Sequence, residues 1–395
     1  MMQKIKAFFM QNKTLIGLYI LATIIASVHL YFLPDNTFGG TYTHYNNFII
    51  FKYSFWHLIN GQDLYIEHLA DQYDLFKYSP AFALAMAPFA LLPNWFGLVI
   101  WNLLNTSLLL WAVFKLKLFT DTQKQIALLL IFFETLTSLQ SAQTNVMMVA
   151  LFLFAYHFFE TDKPHWAALM LMLSVFIKLF GLILFPLFLL YKYKEKFIVW
   201  SAVWFMLLLA IPLLVVNMNQ LLHLYISWWN MLQQDHSVSF GLSVMGWLKT
   251  WFFIEPNKTL VVGLGLLILL VSIVLHIKTT DWTKRALLFA SSLIWVIIFN
   301  HKAESSTFNI ALVGVAIYYL VAPPSKLKNG LLVFCLLFTS LSPTDLFPPY
   351  VRVHVVTPYV LKAVPCIFIW FHINYLLFSR KQAFAEPVLE APKNQ

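Results

Sequence analysis

The sequence predicts an all-α protein with many membrane-spanning helices. Two compositional observations lead to this fold class: 60% of the 395 residues are hydrophobic and only 11% are charged, whereas soluble domains carry about 25% charged residues. A third observation is the length of apolar runs such as 14–34 and 258–277, which approach the roughly 20 residues that a helix needs to cross a bilayer. We therefore expect one integral membrane domain over residues 1–395 rather than a soluble helical bundle.

Twelve apolar runs are expected to cross the membrane. No small-residue cleavage site follows the first run, so we do not expect a cleaved signal peptide. The run 79–94 is too short to cross and contains three prolines, which favours an embedded or re-entrant helix. The twelve expected spans are 14–34, 96–116, 125–140, 146–160, 165–178, 181–191, 197–216, 258–277, 286–300, 307–322, 330–342 and 358–378.

The basic residues fall mostly on one side of this topology. With a cytoplasmic N-terminus, eighteen of the 26 Lys and Arg residues lie in cytoplasmic segments and eight lie on the other side, which is the bias expected of cytoplasmic loops. Both termini, including a tail at 379–395, are then cytoplasmic, and the loop 35–95 with its interfacial and re-entrant helices is external. Because this bias explains the net charge of +9, we expect membrane lipids and not nucleic acid as partners.

The first external loop is unusually polar and aromatic. Its segment YNNFIIFKYSFWHLI carries apolar residues at 48, 51, 55, 58 and 59, a spacing that fits an amphipathic helix lying in the membrane interface. Such a helix can serve packing alone. The loop is nevertheless longer than a connection requires, and long connections are usually functional.

Lys178 is flanked on both sides by apolar residues. A lysine costs about 2.5–3.5 kcal/mol at the centre of a membrane helix, so it usually marks a site or faces a cavity. Its ammonium group is expected to hold a phosphate or an acidic partner, with snorkelling to the surface as the alternative. Glu134, also within an apolar run, is either the partner of Lys178 or an internally hydrogen-bonded acid.

Two further clusters are expected on the external side. Gln143 and Asn145 bring amide groups to the mouth between two spans, either as ligand-binding groups or as helix caps. His301, Lys302 and Glu304 place three ionisable groups within four residues at a span boundary, which indicates a charged site.

Several motifs are missing from the sequence. It has no DxD pair, glycine-rich phosphate loop, GxSxG motif or His pair at metal-ligand spacing. Cys335 and Cys366 both lie in apolar runs and suggest neither a disulfide framework nor a cysteine metal site. We therefore expect no metal and no cofactor, and an enzyme that uses ATP or a nucleotide sugar is disfavoured.

Four segments, taken in order, resemble glycosyltransferase family 87. YNNFIIFKYSFWHLINGQDLY resembles the segment of the family that ends in G-x-D/N-x-Y, and FKYSPAFALAMAPFALLP resembles its aromatic-Tyr-Pro-Pro helix. QSAQTNVMM resembles its Gly-Gln-x-Asn segment, with Ala142 in place of Gly, and the run carrying Lys178 resembles its Lys-x-x-Pro segment. The resemblance extends from about residue 40 to 200 and more loosely to 322.

The resemblance implies a GT-C-like bundle of about twelve helices and an inverting sugar transfer. The donor would be a polyprenyl-phosphate sugar, with mannose the expected sugar, and the acceptor a lipid or glycan. The site would face the periplasm or outside of a bacterial cytoplasmic membrane. Amide and basic groups can stabilise a monophosphate leaving group without a metal. The expected substrate-binding residues are Lys178, Gln143, Asn145, His301, Lys302, Lys77, Tyr78 and Asp63.

The sequence departs from the family at the position of the general base. Asn47 stands where the family carries an aspartate, and an amide cannot act as a general base. Either another carboxylate serves as the base, or the alignment with the family is shifted at this position, or the chain is inactive. Glu304 ranks first and Asp74 second, with Asn47 orienting the acceptor. An ion pair with Lys77 is expected for Asp74. The external candidates are Asp35, Asp63, Glu67, Asp71, Asp74, Asp235, Glu304, Asp345, His44, His236 and His301.

Two alternative hypotheses do not involve sugar transfer. A transporter or flippase of a lipid-linked saccharide would also explain Lys178, Glu134 and the external polar clusters. A subunit of an envelope-assembly complex is the third reading. Only the transferase breaks the bond between sugar and phosphate, so release of polyprenyl phosphate distinguishes it from both.

Overall fold

The computed structural model describes residues 11–34, 42–117, 119–234 and 239–379, and every regular element in these ranges is helical. Asp35, Asp235 and His236, and the tail from residue 380 onward, lie outside the described residues. The α-helices are α1 (Asn12–Phe32), α2 (Asn46–Ile59), α3 (Pro80–Ala85), α4 (Ala87–Ala90), α5 (Asn94–Lys115), α6 (Asp121–Gln140), α7 (Asn145–Glu160), α8 (Pro164–Ile177), α9 (Lys194–Ala210), α10 (Met218–Gln234), α11 (Val244–Phe252), α12 (Lys258–Leu275), α13 (Trp282–Ile298), α14 (Phe308–Val321), α15 (Lys326–Cys335), α16 (Pro349–Val351) and α17 (Val364–Phe378). Three 3₁₀ segments occupy Leu179–Leu190, Ile211–Leu214 and Ser305–Thr307, and two π segments occupy Leu336–Leu341 and Arg352–Val356.

Each of the twelve expected spans overlaps a helical segment. Four helices in the described part of the chain are long and apolar enough to cross a membrane: α1, α5, α9 with its continuation to Leu214, and α12. The other apolar helices are shorter, at 10–17 residues. The structure therefore confirms an all-α membrane protein, and the number of about twelve crossings stays a prediction.

The proline-rich run 79–94 forms two short helices instead of one. Ser79 caps α3 by accepting a hydrogen bond from the Phe82 amide at 3.2 Å, and Pro80 occupies the first turn, where a missing N–H costs nothing. The chain turns at Met86, and α4 begins with Pro88 in its first turn. Because Pro88 cannot donate to the preceding turn, a continuous helix is interrupted here.

The centre of the molecule is formed by α7, α13 and α14, whose residues are almost all buried. Gly314 of α14 lies against α13 so closely that an added Cβ would stand 2.7 Å from the carbonyl oxygen of Ala290. Small residues allow such approach between helices in lipid, where packing rather than hydrophobic exclusion drives association.

Hydrogen bonds inside the apolar interior join α1 to α5 and α6. Thr23 and Thr106 share a hydrogen bond of 2.8 Å, and Asn102 donates to the Ser27 hydroxyl at 3.0 Å. The Tyr19 hydroxyl donates to the carbonyl of Leu128 at 2.7 Å. All these groups are buried, so the bonds satisfy polar atoms that lipid could not.

Helices α9 and α12 expose many of their apolar side chains. Met206 and Leu207 on α9, and Leu264 and Leu267 on α12, are all more than half exposed. A water-soluble protein rarely exposes so large a continuous apolar area. These faces are therefore suited to contact lipid.

Glu134 pairs with Lys362 and not with Lys178. The Lys362 Nζ lies 2.8 Å from Glu134 Oε1, and both side chains are almost fully buried. The proposal that Glu134 is the partner of Lys178 is therefore wrong. Because the pair joins α6 to the segment before α17, residues 228 positions apart, their proximity depends on the tertiary fold.

Helix α2 confirms the helix expected in the first external loop, and its buried face is wider than expected. Phe48, Phe51 and Leu58 are buried as the spacing predicts, but Ile49 and Ile50 are buried as well and Ile59 is exposed. The helix is packed into the protein because the chain covers it on more than one side. Its position in a membrane interface stays a prediction.

Candidate active site

A cavity of about 330 Å³ brings together eight of the residues expected at the site. Its wall also includes Phe51, Phe180 and Trp228, so polar groups are set among aromatic rings. The eight expected residues are Asn47, Asp74, Lys77, Tyr78, Gln143, Lys178, Lys302 and Glu304.

Five separate parts of the chain supply these side chains. Asn47 comes from the first turn of α2, and Asp74, Lys77 and Tyr78 come from the loop that precedes α3. The other side chains come from chain connections: α6 to α7 (141–144), α8 to the 3₁₀ segment (178), and α13 to α14 (299–307). The cavity lies at helix ends. Backbone N–H and C=O groups there have no partner within the helix and can contact a ligand.

Lys178 stands where α8 ends and the 3₁₀ segment begins. Its backbone is extended, with φ −140° and ψ 135°, and its Nζ donates to Asn145 Oδ1 at 2.8 Å and to Gln143 Oε1 at 3.4 Å. No carboxylate lies within ion-pair distance of Lys178 in the described part of the chain. Its positive charge is therefore held by neutral oxygens and is available to an anion.

Gln143 connects Lys178 to Glu304. Its Oε1 accepts hydrogen bonds from Lys178 and, at 2.8 Å, from Asn145, while its Nε2 donates to Glu304 Oε2 at 2.8 Å. Asn145 also donates to the Ser306 hydroxyl at 3.4 Å. Neither amide caps α7, so the capping alternative is not what the structure shows.

Glu304 lies at the start of the 3₁₀ segment that leads into α14. Its backbone carbonyl accepts hydrogen bonds from the amide and the hydroxyl of Thr307, the second at 2.7 Å, which fixes the residue. Its carboxylate accepts one hydrogen bond, from Gln143, and has no ion-pair partner within the described ranges. The second oxygen, Oε1, accepts no hydrogen bond from the described residues.

The Asp74 carboxylate makes more contacts with neighbouring residues than the Glu304 carboxylate does. Its Oδ1 accepts the Leu75 amide at 2.7 Å and lies 3.6 Å from Lys77 Nζ. The expected ion pair of Asp74 with Lys77 is confirmed. Its backbone has φ +74°, a left-handed conformation that aspartate tolerates better than most residues.

Asn47 and Glu304 line the same cavity. The Asn47 Nδ2 donates to the carbonyl of Ser141 at 2.9 Å, which joins α2 to the turn that carries Gln143. The amide thus holds the wall of the cavity in place and leaves its oxygen as an acceptor for a hydroxyl group.

Three of the expected residues, Asp63, Asn145 and His301, are not among those that line the cavity. Asp63 accepts the Tyr65 amide at 2.9 Å and the Ser227 hydroxyl, and lies 3.3 Å from His223 Nε2. It joins the loop to α10 and does not cap a following helix. The remaining described candidate bases, His44, Glu67, Asp71 and Asp345, are also absent from the lining.

One wall of the cavity was not anticipated from the sequence. Trp228 and Leu232 of α10 line it, and the Trp228 indole donates to the carbonyl of Lys77 at 3.3 Å. The contact of α10 with the cavity arises from the tertiary fold, so the sequence alone did not predict it. The amphipathic pattern of α10 is the feature of the sequence that could have indicated this wall.

A larger apolar groove of about 770 Å³ lies beside the cavity. Ile177 lines both, and Lys178 follows Ile177 directly. The groove is bounded by Phe82 and Trp101 near this end and by Lys115 and Lys163 at the other. The Ser79 hydroxyl donates to the carbonyl of Phe176, which fixes α3 against α8 where cavity and groove meet.

Comparison with known proteins supports the resemblance seen in the sequence. The family model for glycosyltransferase family 87 matches residues 76–301, more than half of the chain. The matched range includes Lys77, Tyr78, Gln143, Asn145 and Lys178 but ends before Glu304 and begins after Asn47. No individual curated protein matches the sequence. With the family match and the helical architecture together, the chain belongs to glycosyltransferase family 87 and is a membrane glycosyltransferase.

Proposed function

We propose that the protein transfers a sugar, with mannose the expected one, from a polyprenyl-phosphate donor to an acceptor hydroxyl on the extracytoplasmic side of the membrane. The observation that carries the proposal is the position of Lys178 between an apolar groove and a polar cavity. A lipid-linked sugar has the same order of parts: an isoprenoid chain, a phosphate and a sugar.

The groove would hold the isoprenoid chain. Its lining is almost entirely apolar and includes Phe82, Trp101, Met147 and Phe176. It would hold the isoprenoid chain by dispersion contacts, away from water and from other lipids. Ile177 would mark the point where the chain ends and the phosphate begins.

The phosphate would bind at Lys178. The ammonium group can donate to a phosphate oxygen while Asn145 and Gln143 hold it in position. When the bond between C1 and the phosphate oxygen breaks, negative charge grows on the leaving phosphate, and a nearby cation stabilises that charge. Lys302, on the same cavity, is placed to assist.

Glu304 would act as the general base. It would take the proton of the acceptor hydroxyl as the oxygen attacks C1 from the face opposite the phosphate, which inverts the configuration. Its carboxylate accepts one hydrogen bond, whereas the Asp74 carboxylate is engaged both by Lys77 and by the Leu75 amide. Asn47, on the same cavity, would orient the acceptor.

Release of polyprenyl phosphate tests this proposal. Purified protein in lipid nanodiscs is given a polyprenyl-phosphate mannose labelled in the sugar, together with short mannose-containing acceptors, and both the freed lipid phosphate and the sugar product are measured. We expect both in equal amounts, with the opposite anomeric configuration in the product. Donor binding without cleavage across a panel of sugars and acceptors would favour the transporter or flippase reading.

A further inference from the structure

Three potential metal ligands meet outside the transfer cavity. His57 lies in the last turn of α2, and His68 and Asp71 follow in the loop. One ligand atom from each residue lies within 4.8 Å of the others. The His57 Nε2 is 3.0 Å from Asp71 Oδ2, and the two imidazole rings stack with centroids 3.8 Å apart. None of the three residues lines the cavity.

The hydrogen bond of His68 determines which of its nitrogens can bind a metal. Its Nε2 lies 2.7 Å from the backbone carbonyl oxygen of Asp63. A carbonyl only accepts, so Nε2 must carry the hydrogen, and in the neutral ring Nδ1 then has a free lone pair. Histidines that bind metals usually donate their other N–H to a carbonyl or carboxylate in this way.

We propose that His57, His68 and Asp71 form a binding site for a zinc ion. Two imidazoles and one carboxylate are a ligand set that suits zinc, whereas magnesium and calcium prefer oxygen ligands alone. Water would fill the fourth position. Ligand atoms about 2.0–2.2 Å from a tetrahedral ion lie about 3.3 Å apart, whereas the three ligand atoms here lie within 4.8 Å of one another, so the side chains would rotate toward the ion on binding.

The zinc ion would fix the loop against α2. His57 is buried on the helix, and the loop between it and Asp71 carries Asp63 and Tyr65. Tyr65 donates to the carbonyl of Tyr78 at 2.9 Å, and Asp63 contacts α10. Both contacts support walls of the cavity, so the ion would order the site without touching the substrates. The sugar transfer proposed above does not depend on it.

The sequence alone did not predict this site. Ten residues separate His57 from His68, and two separate His68 from Asp71, a spacing typical of no common metal motif. The three residues meet because the loop returns to the end of α2, where Gly61 adopts a positive φ of 73°.

Metal binding by the full chain tests the inference. The protein is purified in detergent with a tag that contains no histidine, treated with a chelator, and titrated with zinc chloride and with cobalt chloride. We expect one zinc per chain, a rise in the unfolding temperature on adding zinc, and a cobalt absorption spectrum of a tetrahedral site.

Conservative variants show whether the three residues are the ligands. His68→Gln retains a donor for the Asp63 carbonyl, and Asp71→Asn retains the shape of the side chain. Each variant should bind zinc at least tenfold more weakly and lose the rise in unfolding temperature. His44→Gln, a histidine of the same loop that bonds to the Pro34 carbonyl, should behave as wild type. Equal zinc binding by wild type, His68→Gln and Asp71→Asn, or no stoichiometric zinc in wild type, overturns the proposal.

Discussion

Lys178 is the residue on which the assignment of the site depends most. Its two hydrogen bonds go to amide oxygens, at 2.8 and 3.4 Å, so the protein positions the ammonium group without neutralising it. A lysine held in this way costs stability in apolar surroundings, and that cost is consistent with a role in binding an anion.

Removing the charge of Lys178 should weaken donor binding. We expect Lys178→Ala to reduce donor affinity roughly 10- to 100-fold, because hydrogen bonds to charged groups contribute about 1.5–3 kcal/mol. Lys178→Arg should retain part of the affinity, since the charge remains but the planar group fits the two amides less well. Titration with labelled donor measures both. Lys249→Ala, which removes an exposed lysine paired with Glu255, is the control. Unchanged affinity in folded Lys178→Ala would exclude the proposed role.

Glu304 and Asp74 can be ranked by nearly isosteric changes. Glu304→Gln should lower the rate of transfer by about 10²–10⁴, the usual contribution of a general base, and leave donor affinity close to wild type. Asp74→Asn should have a smaller effect on rate, because its carboxylate is already engaged with Lys77. Single-turnover rates with saturating donor give the comparison. Wild-type rates in Glu304→Gln together with a large loss in Asp74→Asn would reverse the assignment.

At the scale of elements, the break between α8 and the 3₁₀ segment is what presents Lys178. Gly181 packs against the last turns of α8, where an added Cβ would lie 2.1 Å from Ser174 Oγ and 3.0 Å from the carbonyl oxygen of Leu171. The Ser174 carbonyl accepts the Lys178 amide at 2.8 Å. The close approach at Gly181 thus holds the backbone of Lys178 in place.

Substitution of Gly181 should therefore affect both stability and donor binding. We expect Gly181→Ala to cost about 1–3 kcal/mol through overpacking and to weaken donor binding by displacing Lys178. Adding Ser174→Ala should restore part of both, because it removes the nearest atom but not the Leu171 carbonyl. Gly263→Ala is the control, since nothing lies within 4 Å of the added Cβ. Thermal unfolding and donor titration are the measurements, and equal results for the two alanine variants would contradict the account.

The sequence predicted the elements better than their contacts. Long apolar runs such as α1 and α12 could be recognised from composition, because a helix in lipid must satisfy its own backbone. The polar groups on helix ends, among them Gln143, Asn145 and Lys178, could be selected because apolar surroundings make them costly. Which of them would touch could not be known, since those contacts depend on how distant helices pack. Glu134 illustrates this limit: Lys178 was offered as its partner, and the fold supplies Lys362.

At the scale of the whole molecule, the residues of the candidate site and the basic connections at Lys115 and Lys163 lie at different ends of the helices. Lys178, Glu304 and Lys77 line the cavity, whereas Lys115 and Lys163 lie at the far end of the groove that starts beside it. Glu160 and Arg285, which form an ion pair at 2.6 Å, connect the ends of α7 and α13 that lie away from the cavity. This separation agrees with a molecule whose site and basic loops face opposite sides of a membrane.

The proposed orientation of the chain in the membrane can be measured directly. Glu67 lies exposed in the loop beside the cavity, and Asn329 lies exposed near the start of α15. Because Cys335 and Cys366 are fully buried, single cysteines can be introduced at these two positions with little background. In intact cells, Glu67→Cys should react with a membrane-impermeant maleimide, and Asn329→Cys should react only after the membrane is permeabilised, since positively charged loops stay in the cytoplasm. Labelling of both in denatured protein controls for reactivity. The reverse pattern would place the cavity on the cytoplasmic side, where an extracytoplasmic acceptor cannot reach Glu304, and the proposed direction of transfer would have to be abandoned.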